Sequence, residues 1–415
     1  MRSYLQSAAW HARAATVIPG GAHTASKAPG RVGPLGAYPL YLADACGVHV
    51  TDVDGQGYLD WYCGNCAVVL GHQPASAIAP LPSLPSTLEV IVAEQLVEII
   101  PCAEQIRVTK TGSEACAAAV RIARMATGRP KIAIIPSGYH GWHSWCQAVK
   151  PEHPGIPAHY GAGVVAFERS LHSIMGVLHD DVAAVMIEPT AYRHADPDGF
   201  LASVVALCHA RGALCIFDEM ITGGRWALAG GQEYFAVVPD LACYGKALAN
   251  GAPFAFVCGR EKLMRHAWAV SGTYGGEQIG MASCLAVLAA HRSQDVIGRI
   301  WSAGQRLMGG LSQLAKMNCA PVTIIGYPCR PIMEWVCDDA NAVVSLWQQT
   351  LADGGILCHP SGWNPSAAHS DADVDRTLTV CGEAFAMVMD AIRRGDVRES
   401  LRGTPITSAF VVRCV

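Results

Sequence analysis

From about residue 100 to residue 260 the chain alternates short, continuously apolar runs with longer amphipathic stretches. KIAIIP, GVVAF, VAAVMIEP, ALCIFDE and FAFVCG carry apolar side chains at consecutive positions, so neither face of such a strand suits water. LEVIVAEQLVEII repeats its apolar residues at helical spacing, RVTKTGSEA reads as strand and turn, and ACAAAVRIARMATG predicts an Ala-rich helix stopped by Gly128. The alternation predicts an α/β sheet covered by helices, with ligands expected beyond the carboxyl ends of its strands. Upstream, Pro19-Gly20-Gly21 and Pro29-Gly30 punctuate a loop. LYLADACGVHVTDVDGQGYLDW then alternates apolar and polar positions around Asp54-Gly55, which predicts strand, turn, strand. The last hundred or so residues mix a helix (SLWQQTLADGG), a short strand with its loop, and a final helix (VDRTLTVCGEAFAMVMDAI), a smaller α+β cap.

Composition narrows the function classes. The 415 residues are 51% hydrophobic and 15% charged, which fits a compact globular protein. A net charge of -4, with no dense Lys/Arg tract, gives no reason to expect nucleic-acid binding. The N-terminus lacks a signal-peptide core and no apolar run is long enough to span a bilayer, so a cytoplasmic protein without a membrane partner is expected. The 17 cysteines are scattered through apolar segments and read as reduced, buried thiols. Cys63-Gly-Asn-Cys66 lacks the second ligand pair of a metal site and reads as a loop of small residues near a pocket. No histidine spacing suggests a metal centre, and none is expected.

Four segments can carry chemistry. Thr111-Gly112-Ser113-Glu114-Ala115 joins a strand to a helix, where glycine, hydroxyls and free amides suit a phosphate; the same residues also suit a plain helix cap. Asp218 ends the apolar run ALCIFDE, where a carboxylate can face a ligand or merely cap a turn. Lys246 follows a further strand in a Lys-poor chain, among small residues; with little charge around it the amine can lose its proton and attack a carbonyl, or it can be an ordinary solvated loop lysine. Ser137-Gly138-Tyr139-His140-Gly141-Trp142-His143 sets glycines around aromatics, a turn that presents a ring to a flat ligand or to the core.

Together these segments resemble the class III aminotransferases, fold-type I enzymes dependent on pyridoxal 5′-phosphate (PLP) that include glutamate-1-semialdehyde 2,1-aminomutase. The resemblance runs from PGGAHT near residue 19 to the final helix. Its most specific stretch is IFDEMITGGRWA, followed 28 residues after Asp218 by Lys246 in YGKALANGAP; TGSEA, GYHGWH, VMIEP and GTYGGE support it. It implies a large α/β domain, 56–298, with a mostly parallel seven-stranded sheet, and a smaller α+β domain made from the chain ends, 1–55 and 299–415. It implies that Lys246 holds PLP as a Schiff base and later moves protons between substrate carbons, and that Asp218 pairs with the pyridinium nitrogen. Tyr139 and Met220 would pack on the two ring faces, Gly112 and Ser113 would hold the phosphate, and His140 and Glu188 would support the cofactor. Thr273 would reach the phosphate of the neighbouring subunit, which implies a homodimer with shared sites.

Departures from the family pattern concern the substrate. Lys27 stands where the aminomutase has an arginine for the substrate carboxylate, and a point charge cannot grip a carboxylate as a planar fork does. The asparagine expected after the Glu-Pro motif is missing, and Gly275-Gly276-Glu277 replaces a Gly-Asn-Pro triplet. The segment GHQPASAIAPLPSLPSTLEV is shorter than the family's loop and helix. Lys27, Trp142 and Glu277 are the substrate-facing candidates. GYHGWH with GGE resembles the branch acting in sugar, nucleotide or secondary-metabolite pathways, so an amine or ketone on a larger scaffold is expected. Aminotransferase and aminomutase outcomes both remain open at this point. So do decarboxylation and racemisation on the same scaffold, and a protein that binds without catalysis.

Overall fold

The computed structural model describes residues 2–17, 29–66, 68–72, 87–150, 155–190, 199–360 and 362–407. Two units emerge, Met1–Pro74 with Gly298–Val415, and Ala75–Ile297.

In the first unit, β1 (Leu42–Cys46), β2 (His49–Asp52) and β3 (Gly57–Asp60) form an antiparallel meander. The stretch predicted as strand, turn, strand therefore holds three strands. Gly47 turns the chain between β1 and β2 at φ 58°, a conformation glycine adopts without steric cost. The Asp54-Gly55 turn joins β2 to β3, with the Asp52 carboxylate accepting the amides of Asp54 and Gln56 at 3.0 and 2.8 Å.

The second unit is built on seven strands: β4 (Gln105–Thr109), β5 (Lys131–Ile134), β6 (Val164–Ala166), β7 (Val182–Ile187), β8 (Leu214–Asp218), β9 (Leu241–Tyr244) and β10 (Ala255–Gly259). They lie in the order β4-β10-β9-β8-β7-β5-β6, and β10 alone runs against its neighbours. The predicted seven-stranded, mostly parallel sheet is thus present. Alternate residues of each strand feed two separate cores. Val185, Phe217 and Phe256 join helices Thr87–Ile99, Phe200–Ala210 and Gln278–Ser293 on one face. Met186, Ile216 and Val257 join helix Gly112–Thr127 on the other. Both faces are dry, which is why these strands read as unbroken apolar runs. Ala115, Ala118, Ala119 and Ala123 bring the last helix close to the sheet. A capping box between Thr111 and Glu114 starts that helix, and Gly128 ends it at φ 71°.

The C-terminal part of the first unit adds the hairpin β11 (Val322–Tyr327) and β12 (Arg330–Trp335), and β13 (Ile356–Leu357), which pairs parallel to β3. Helices Ala340–Asp353 and Asp371–Arg394 fall where predicted. The helix Val296–Met317 and the hairpin exceed the predicted content. Trp61, Trp347 and Phe385 anchor this core. Cys63–Cys66 forms a short helical turn rather than an open loop, with both cysteines buried. Every described cysteine is free; Cys46 and Cys319 are exposed. Among the described residues no helix is long and apolar enough to cross a membrane.

Candidate active site

The carboxyl ends of the parallel strands gather the reactive groups of the second unit. β8 ends on Asp218, and Asp218 is in register with Cys243 of β9. Three residues beyond Cys243 stands Lys246, so carboxylate and amine leave the same sheet edge on adjacent strands. β5 leads to Tyr139 and His140, β7 to Glu188, and β4 to Gly112 and Ser113.

Asp218 is 3% exposed and its oxygens are well supplied. Oδ2 lies 2.8 Å from Nδ1 of His140, itself buried, and accepts from Sγ of Cys116 at 3.4 Å. Oδ1 accepts the Met220 amide at 3.2 Å. Cys116, His140 and Asp218 offer atoms within 4.8 Å of one another. Hydrogen bonding to Cys243, burial and the Asp218 charge hold the Cys116 thiol pKa well above its ordinary value. A protonated thiol donates a hydrogen bond; metals bind the thiolate.

Lys246 is half-buried and opens a short 3-10 helix, Lys246–Ala249, in the left-handed region at φ 46°. A side chain there is strained by about 1–2 kcal/mol, a cost that clusters at functional positions. Met220 sits between two glycines: a Cβ on Gly112 would lie 2.9 Å from its Sδ, and one on Gly245 3.0 Å. Neighbouring Glu219 is wholly buried and accepts from Thr222 and from the amides of Gly231 and Gln232, fixing the loop that carries Met220. Burial pushes its carboxyl up to about 7.

At the start of helix Gly112–Thr127, Glu114 Oε2 takes the amides of Lys110 and Thr111. The amides of Gly112 and Ser113 make no hydrogen bond among the described residues. Ser113 is buried and its Oγ accepts the Trp142 amide at 3.2 Å. Gly141 makes that approach possible, since a Cβ there would lie 2.5 Å from Ser113 Oγ.

Tyr139 is partly exposed, with Nζ of Lys150 5.7 Å over its ring and burial raising its hydroxyl pKa. Glu188 borders the same turn: a Cβ on Gly138 would lie 3.6 Å from Glu188 Oε2 and 3.2 Å from His140 Nε2. Trp142 is 74% exposed, edge-on to His143 at 5.3 Å.

Two further candidates lie on the chain that follows β10. Thr273 is exposed on a segment bordering a recess of about 290 Å³ lined in part by Glu89, Arg107 and Gly276. Glu277 pairs with Nζ of Lys110 at 2.7 Å and caps helix Gln278–Ser293. Lys27 lies outside the described residues. Cys116, Glu219, Lys110 and Lys150 are neighbours of the candidate residues that sequence reasoning missed; Lys110 and Glu219 adjoin motifs already singled out, but neither partner could be read from spacing.

The Aminotransferase class-III family matches residues 35–365. Glutamate-1-semialdehyde 2,1-aminomutase of Syntrophobacter fumaroxidans is 30% identical over 417 residues, 90% of this chain and 95% of the relative. The enzyme of that name from Desulforamulus reducens is 30% identical over 427 residues, 92% and 98% respectively. The structure of the PLP internal aldimine form of Sphingopyxis sp. MTA144 FumI protein superposes with a TM-score of 0.87 at 25% identity, covering 96% of this chain and 98% of that one. A family match across the strands that carry Asp218 and Lys246, joined to relatives aligned over almost their whole length, places this chain among the class III aminotransferases.

Proposed function

We propose that this chain transfers an amino group on PLP held by Lys246, either between molecules or along one. The chain is a PLP-dependent enzyme, as its family membership implies. The observation that carries the residue assignment is the buried Asp218, backed by His140, beside the strand that delivers Lys246.

The residues present fit this cofactor. The unpartnered amides of Gly112 and Ser113 at a helix start, with the Ser113 hydroxyl, would take the phosphate. Asp218 would hold a proton at the ring nitrogen. Tyr139 and Met220 would flank the ring, with Gly112 and Gly245 leaving room for the Met220 thioether. His140 and Glu188 would fix Asp218 and the turn above it. Lys246 Nζ would hold the cofactor covalently. Bound PLP withdraws electrons from the substrate carbon that carries nitrogen. Lys246 Nζ would take the proton from that carbon and deliver it elsewhere.

Thr273, exposed on its own chain, would complete the site of a second copy in a homodimer. The aromatic face of Trp142 would meet a substrate with a bulky scaffold, such as a sugar or nucleotide. Lys27 and Glu277 would complete the substrate side, with Glu277 held in place by Lys110.

The test is a visible spectrum of the purified protein before and after borohydride, with peptide mapping of the reduced sample. A yellow protein whose reduced label maps to Lys246 is expected. A label on another lysine, or no cofactor uptake, would overturn the assignment.

A further inference from the structure

We propose that Cys116 is a positioning residue of the cofactor site: its thiol shares Oδ2 of Asp218 with His140 and sets how strongly that carboxylate draws on the ring nitrogen. The inference rests on the assignment of Asp218 given above.

An ionised carboxylate offers about four lone-pair sites. On Asp218, His140 and Cys116 occupy Oδ2, and the Met220 amide occupies one side of Oδ1. That leaves one direction on Oδ1 for a ring nitrogen. The basicity remaining there depends on how much the other three donors withdraw.

Cys116 lies one turn into helix Gly112–Thr127, on the face buried against the sheet. It follows by three and four residues the two amides assigned to the phosphate. One helix would thus serve both ends of the proposed ligand, the phosphate directly and the ring nitrogen through Asp218. The groups facing the thiol are Cys243 from β9, Asp218 from β8, Tyr139 from the turn after β5 and, through Asp218, His140 from the same turn. The thiol stays uncharged, and its hydrogen, which Cys243 also faces, is 3.4 Å sulfur-to-oxygen from donation to Oδ2 of Asp218. A thiol is a weak donor, and a hydroxyl at the same place is a stronger one. A thiol at this place therefore donates to Asp218 more weakly than a hydroxyl and more strongly than a methyl group, which donates nothing.

The test uses holoenzyme of the wild type, Cys116→Ala, Cys116→Ser and Asp218→Asn. Two quantities are measured, the pH midpoint of the cofactor's visible band and the dissociation constant for PLP. Removing the donor strengthens the hold of Asp218 on the ring nitrogen, and a hydroxyl weakens it. The two Cys116 variants are therefore expected to move the midpoint in opposite directions, each by about half a pH unit. A purely structural cysteine would change the melting temperature and leave both midpoints at the wild-type value. That outcome, or shifts of the same sign, would overturn the inference. Asp218→Asn separates the two levels. If it leaves spectrum and affinity unchanged, the assignment of Asp218 fails; if it weakens both while the Cys116 variants titrate as wild type, Cys116 alone is wrong.

Discussion

Nδ1 of His140 lies 2.8 Å from Oδ2 of Asp218, and both side chains are buried. The contact joins a turn after β5 to the end of β8, 78 residues on. A buried carboxylate stripped of its donor incurs a desolvation cost of about 1–3 kcal/mol. His140→Phe should therefore weaken PLP binding by about 10-fold or more, since a misplaced Asp218 no longer meets the ring nitrogen. Equilibrium titration with PLP, followed by absorbance, measures it. An unchanged dissociation constant would mean that His140 merely fills space.

Lys246, to which the cofactor is assigned in the proposal, has a left-handed backbone at φ 46°. Lys246→Ala and Lys246→Gly should both lose turnover and the borohydride label. They should differ in stability. Glycine relieves the left-handed strain and costs more unfolded-state entropy, leaving Lys246→Gly more stable than Lys246→Ala by about 1 kcal/mol. Denaturant midpoints of the two apoproteins decide it; equal midpoints would show that the surroundings relax around alanine.

Gly141 and Gly128 both have positive φ, 103° and 71°, but only one is crowded. A Cβ on Gly141 would lie 2.7 Å from Cα of Ser113, whereas one on Gly128 meets nothing within 4 Å. Gly128→Ala should cost about 1 kcal/mol from backbone conformation alone. Gly141→Ala should cost about 3 kcal/mol or more, because a backbone atom cannot swing aside. It should also loosen PLP by displacing Ser113. Thermal melting of the pair separates the two costs, and similar losses would mean the turn shifts freely.

The strands of the second unit were legible because both their faces are buried and their runs are unbroken. The places of Asp218 and Lys246 at strand ends were legible because each sits where such a run stops. Cys116 was not, since in an Ala-rich helix small residues fit either face and the buried one cannot be told from sequence. The helix Val296–Met317 was missed for a related reason: its glycines suggest breaks. In the fold they are packing positions, where a Cβ on Gly304 would lie 1.6 Å from the Pro328 carbonyl and one on Gly310 2.4 Å from Leu378. The third N-terminal strand was hidden because Gly47 turns the chain so tightly that β1 and β2 read as one run.

The first unit should lose stability in mild acid through buried neutral histidines. The His369 ring stacks on Trp61 with centroids 3.8 Å apart, and its Nδ1 accepts the Ser366 amide at 3.0 Å. Only an unprotonated Nδ1 can do so. Burial takes its pKa down to about 4, and that of His359, beside Arg330, down to about 3. An unfolded histidine titrates near 6.5, so below that pH the unfolded chain takes up protons that the folded one refuses. The stabilisation is complete above about pH 6.5 and is lost progressively as pH falls towards 4. For His369 it amounts to about 3 kcal/mol at full extent. His369→Phe keeps a ring against Trp61 and cannot titrate. Its urea midpoint should lie below that of the wild type at pH 8, where the Ser366 amide has lost its acceptor, and should fall less between pH 8 and pH 5. If wild type and variant lose stability in parallel over that range, His369 is not the group being protonated, and the acid sensitivity of this unit belongs to His359 or to the carboxylates.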